Sequence, residues 1–175
     1  MKKKKPGFTL VEMIIVVALT TMVLGIVNAI FSTGNKVFSD SDVKSTLQIE
    51  GQAVQEKISN IAMQGTGVIS SVPPNITNGE ITNIIIKSYV NGANSPKYFN
   101  IKRNGRNLSI DTCTDPLCQN IENSQNISDS INSFGINYNI QNETIEFNIG
   151  LNSKKGYSDV NHPINFTIMF RNKGK

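Results

Sequence analysis

The chain has 175 residues, 38% of them hydrophobic and 17% charged, with a formal net charge of +4. That suffices for one membrane segment and one modest core, and is too little for a second full core. The positive balance lies wholly in Lys2, Lys3, Lys4 and Lys5: without residues 1–7 the 17 basic residues fall to 13, equal to the 13 acidic ones, which removes the compositional case for a basic nucleic-acid groove.

From Phe8 to Phe31, 24 residues run with Glu12 as their sole ionisable member. As a helix rising about 1.5 Å per residue they reach roughly 36 Å, enough to cross a hydrocarbon core of about 30 Å. Four lysines before this run and no comparable cluster after it place the amino terminus in the cytoplasm and the residues after about 32 outside. A secretory signal is shorter and ends in a small-residue cleavage site; here the small residue, Gly7, precedes the apolar run, so cleavage is expected at the near end. A charge at the centre of a spanning helix costs about 2.5–3.5 kcal/mol on insertion scales. Glu12, inside LVEMII, therefore either has a partner at work or sits shallowly near the interface, tolerated there or paired within its own chain.

The string KKKKPGFTLVEMII resembles the prepilin cleavage and methylation motif of type IV pilins and of the pseudopilins of type II secretion and competence systems. The resemblance implies that a prepilin peptidase cuts between Gly7 and Phe8 and that the new terminal Phe8 is N-methylated. It also implies that Glu12 pairs with the terminal amine of a neighbouring subunit leaving the membrane for a filament. The freed amine would lie four residues from Glu12 on one helical face. The implied partners are other pilins or minor pilins, the peptidase, a membrane assembly platform with its ATPase, and membrane lipid before assembly. The implied location is a single pass through the cytoplasmic membrane with the carboxyl-terminal domain outside, then a cell-surface pilus or pseudopilus. No cofactor, metal or enzymatic activity is expected.

Beyond Phe31 the pattern turns amphipathic: Val43, Leu47, Gly51, Val54, Ile58 and Ile61 recur at spacings of three or four, so the helix is expected to continue to about residue 63. That stripe would lie on a sheet, with Asp40, Asp42, Lys44, Gln52 and Lys57 turned outward. Gly25, Gly34 and Gly51 each weaken the helix by about 1 kcal/mol relative to Ala. Residues 64–79, QGTGVISSVPPNITNG, read as a loop. Strands are predicted over 81–90, 97–103 and 107–112, the latter two meeting across Asn104-Gly105, then over 134–140 and 144–150, joined at Gln141-Asn142, and finally over 164–170. With no second long helix to cross between parallel strands, antiparallel pairing follows. The expected fold is α+β, a long amino-terminal helix packed on an antiparallel sheet, which is also the pilin fold that the resemblance implies. Its parts would be a leader (1–7), the spanning half of the helix (8–31), its amphipathic half (32–63) and an outer sheet domain (64–175).

Cys113 and Cys118 are the two cysteines; on the outer side of a membrane such a pair reads as a disulfide worth about 2 kcal/mol, with reduced thiols as the alternative. A zinc site would need four ligands, and the sole histidine, His162, is remote. His162 has Asp159 and Ser158 nearby in DVNHPIN, but the Asn and Pro around it indicate a loop rather than a catalytic site. Lys97, Lys102, Arg103 and Arg106, with Tyr98 and Phe99, form a basic hairpin that is either a candidate ligand patch, for DNA in the first place, or a solvated strand edge. The sequons at Asn75, Asn107, Asn126, Asn142 and Asn165 are those an Asn-rich chain gives by chance. ISDSINSFGINYNIQNETIEFNIGL (127–151) is similar to a segment preceding the last strands of J-type minor pseudopilins and PilW-like minor pilins, which implies a minor subunit that primes or caps a filament. The family's tip subunit typically lacks the motif's Glu, so Glu12 implies a place below another subunit. A major pilin, or a displayed binding module anchored by the helix, are the competing readings.

Overall fold

The computed structural model describes residues 7–72, 78–89, 95–139, 141–156 and 158–171; the four leader lysines, the strand ends Val90 and Ile140, and the sequon Asn75 lie outside them. One helix, α1, runs unbroken from Leu10 to Met63. Nine strands follow: β1 (Gly65–Val72), β2 (Asn78–Glu80), β3 (Asn83–Ser88), β4 (Lys97–Asn104), β5 (Asn107–Cys113), β6 (Ile121–Ser128), β7 (Ile131–Asn139), β8 (Thr144–Lys155) and β9 (Ser158–Met169). Every pair is antiparallel, but the strands make two sheets, ordered β1-β3-β4-β5-β6 and β2-β7-β8-β9.

The amphipathic half of α1 buries Val43, Leu47, Gly51, Val54, Ile58 and Ile61, the whole stripe set by the sequence, together with Ala62. It lies chiefly on β9 and β8. Asp42, Lys44 and Gln52 are exposed, while Asp40 and Lys57 are half-buried. Both sheets and the helix share one core: Ile84, Ile86, Phe99, Ile101 and Leu108 come from the five-stranded sheet, Phe134, Ile136, Ile145, Phe147 and Phe166 from the other. Phe147 stacks between Phe134 and Phe166 with ring centroids 6.4 and 5.2 Å away. The helix carboxyl end is held by the five-stranded sheet: the Ser88 hydroxyl donates to the Ile61 carbonyl at 2.8 Å, satisfying one of the carbonyls a helix leaves unpaired there.

Several stretches depart from the sequence reading, Asn78 and Gly79 among them, which lie in the segment read as loop and pair with β7 as part of β2. Residues 65–72, read as loop, form β1, because Gly65 and Gly67 mark register shifts in its pairing with β3 rather than a break; Gly67, at φ 151°, takes a conformation closed to most side chains. The segment around His162, also read as loop, is the first half of β9; Pro163 is tolerated because β9 is an edge strand, where a missing N–H costs no ladder bond. β6 gave no signal, since Ile121 to Asn126 are exposed on both faces and no alternation of polarity develops. The hairpin between β4 and β5 forms as expected, though its two-residue loop is Gly105-Arg106, with Gly105 at φ 62° and Asn104 paired to Asn107.

Candidate functional site

The apolar half of α1 is bare. It is long and apolar enough to cross a membrane, and its most apolar stretch has nothing of the chain packed on it. Phe8 is 84% exposed, and Gly7, which precedes the helix, has open space where a side chain would stand. Gly7 and Phe8 are thus non-helical and exposed.

The helix begins at Leu10, two residues later than a count from Phe8 suggests, because Thr9 caps it. The Glu12 N–H donates to Thr9 Oγ1 at 3.3 Å, while the Thr9 N–H and hydroxyl both donate to Glu12 Oε2 at 2.8 Å. This reciprocal box satisfies two amide donors that a helix start otherwise leaves open. Phe8 consequently precedes the helix instead of sharing a helical face with Glu12. The S/T-x-x-E spacing of Thr9 and Glu12 is a capping-box signal legible in the sequence, and it adds Thr9 to the site. Glu12 Oε2 takes both contacts, and Oε1 accepts none among the described residues.

The basic residues of the β4–β5 hairpin each have an intramolecular partner. Lys97 pairs with Glu122 at 2.6 Å and Lys102 with the fully buried Asp111 at 2.5 Å. Asp111 also accepts from the Ser124 hydroxyl at 2.5 Å. Arg103 donates to the carbonyls of Gly105 at 3.0 Å and Asn132 at 2.5 Å, and Arg106 donates to the Asn152 carbonyl, so both arginines clasp the turn to β7 and β8. The strand pleat puts Lys102 and Arg103 on opposite faces of β4. Among the described residues, then, both lysines are engaged in ion pairs and both arginines in main-chain contacts.

Cys113 and Cys118 are joined as a disulfide, with Cα atoms 5.1 Å apart. Inside its loop the Asp115 carboxylate accepts from the N–H groups of Gln119 at 2.8 Å and Asn120 at 2.7 Å, and those two bonds hold its pKa below the usual carboxylate value. His162 is half-buried on β9, beside Gly51, Gln48 and Gln52 of the helix. Its sequence neighbours are engaged elsewhere: the Ser158 hydroxyl donates to Ser39 Oγ and Asp159 accepts from Asn152. Among the described residues no group of three or more His, Cys, Asp or Glu side chains is placed to hold a metal ion.

Residues 2–28 match the family model described as the prokaryotic N-terminal methylation motif. The chain carries a prepilin-type methylation motif. The motif covers the site just described, from the lysines through Gly7, Phe8, Thr9 and Glu12 into the bare helix, and the long apolar helix that it opens is consistent with the type IV pilin family. No curated protein and no solved structure matches the chain.

Proposed function

We propose that the protein is a structural subunit, in a minor position, of a type IV pilus or related pseudopilus. Prepilin peptidase would cut it between Gly7 and Phe8, Phe8 would be methylated, and α1 would carry the subunit from the membrane into the filament. The observation that carries this reading is the methylation motif opening directly into an exposed apolar helix. Such a helix exchanges lipid for neighbouring helices on assembly; since lipid is already apolar, the packing gain is modest and register must come from polar contacts.

Glu12 supplies that contact. Cleavage leaves the Phe8–Thr9 peptide intact, so Thr9 still caps the helix through Oε2, and Oε1 accepts from the cationic amine of a neighbouring Phe8. The minor position rests on the similarity within residues 127–151 and on the presence of Glu12, which places the subunit beneath another. Energy for extraction comes from the platform and its ATPase, since the family's role is structural.

Mass spectrometry of the protein recovered from assembled filaments tests the reading: the chain should begin at N-methylated Phe8. Gly7→Ala should leave a larger membrane form with its leader attached, and Glu12→Ala should be cut normally yet stay out of filaments. Filaments in which residues 1–7 are still attached would overturn the proposal. Beside another, abundant pilin the protein should be scarce; equal abundance would make it the major subunit.

A further inference from the structure

Directly after Phe31 the apolar run gives way to STGNK. Ser32, Asn35, Lys36 and Ser39 fall three and four residues apart on one helical face, and with Thr33 they line a cleft of about 670 Å³. The last of these, Ser39, is tied to the head by the Ser158 hydroxyl at the start of β9, which donates to Ser39 Oγ at 2.8 Å. At about 1.5 Å per residue Ser32 lies next to the end of the hydrocarbon layer and Lys36 roughly 7 Å beyond it, inside a headgroup layer about 5–8 Å thick on each side.

The cleft offers donors. Thr33 Oγ1 is turned inward to the Ala29 carbonyl at 2.9 Å, whereas the Ser39 hydroxyl accepts from Ser158 and keeps its own proton to give. Lys36 makes no ion pair among the described residues, although Asp40 lies four residues on, and Asp42 is engaged by Lys155 at 3.3 Å. An ammonium, a carboxamide and hydroxyls among the residues of one cleft match the oxygens of a phosphodiester. Val37 and Phe38, on the adjoining face, are 59% and 78% exposed.

We propose that this face binds the phosphate headgroup of an anionic phospholipid of the outer leaflet, and that the bound lipid fixes the depth at which the subunit rests before extraction. The inference depends on the reading above that residues 8–31 span the membrane and that the head lies outside. Extraction would have to strip that lipid from Lys36.

Native mass spectrometry of the full-length protein in detergent, titrated with dioleoylphosphatidylglycerol, tests it. The wild type should retain this lipid more strongly than dioleoylphosphatidylcholine. Lys36→Gln should weaken retention about fivefold, the worth of one interfacial cation. Lys57→Gln, far along the same helix, should leave it unchanged. Equal retention by wild type and Lys36→Gln overturns the proposal, as does displacement of the lipid by millimolar inorganic phosphate, which would make the cleft a site for free anions. Alkaline carbonate extraction of membranes separates the two readings: a protein that stays in the membrane while its retention of lipid is indifferent to Lys36→Gln sinks this inference alone, whereas one that is washed out sinks the spanning helix itself.

Discussion

Gly51 and Gly34 occupy one helix under opposite constraints. A Cβ at Gly51 would meet Ile164 Cδ1 at 2.8 Å, while Gly34 has nothing within 4 Å. Ala gains about 1 kcal/mol of helix propensity at either site, and overpacking a core costs about 1–3 kcal/mol. Gly51→Ala should therefore lower the stability of the head by about 1 kcal/mol in urea denaturation, and Gly34→Ala should leave the head unchanged while raising the protection of the helix in amide exchange. Lys102 is a second case. Breaking a buried pair typically costs roughly 3–5 kcal/mol, but the Lys102 side chain is 40% exposed, so Lys102→Met should cost less, about 2 kcal/mol. Lys102→Met combined with Asp111→Leu should recover most of that loss; a sum of two independent losses would show that the pair is not coupled. Asp115 sets a pH dependence whose sign is fixed by its lowered pKa: its contribution is present above the unfolded carboxylate value of about 4 and disappears as pH falls through the lower folded one. Exchange of the Gln119 and Asn120 amides should quicken across that acid window in the wild type and be fast throughout in Asp115→Asn. At this scale the sequence was readable where chemistry repeats at fixed spacing, as in the stripe from Val43 to Ile61. It was opaque where a partner comes from another strand, as with Lys102 and Asp111, whose pairing depends on register.

The elements follow the same division. The helix was legible through its periodicity and the β4–β5 and β7–β8 hairpins through their turn residues; at the second, the Asn139 side chain accepts from the N–H groups of Gln141 and Asn142 at 3.0 and 3.1 Å. β1 and β6 were not, because main-chain bonding to a neighbour forms them and neither carries an alternating face. β6 is instead anchored through its approach: the disulfide and the Asp115 carboxylate fix the loop that delivers Ile121 to its register opposite Cys113. Closing so short a loop is worth about 2 kcal/mol on the chain-entropy estimate. Cys118→Ala should lower stability by about that amount and loosen β6 first, seen as earlier exchange of its amides than of those in β8. Simultaneous loosening of β6 and β8 would mean that the head opens only as a unit.

As a whole, the molecule is one core beneath two sheets with a single rod leaving it. The sequence implied one sheet; the division arises because β6 and β7, consecutive in the chain, do not pair with each other, while β2 crosses over to pair with β7, and such long-range pairing leaves no local mark. Thr9 belongs to this scale through what it does for the rod's start. Thr9→Val removes the hydroxyl from both of its contacts with Glu12, and loss of an N-cap typically costs about 1 kcal/mol. The variant should be cut normally but enter filaments less efficiently than wild type, and full incorporation would show that the cap is dispensable. Because α1 passes without interruption from the bare stretch into the core, the head has no second tether to the anchor among the described residues. Any tensile load between them must run in series through the turns at Ser32–Ser39. Those turns combine helix-poor residues with solvent access, so under a pulling force the chain should yield there first, lengthening like a fuse while β8 and β9 keep their grip on Val43–Ile61.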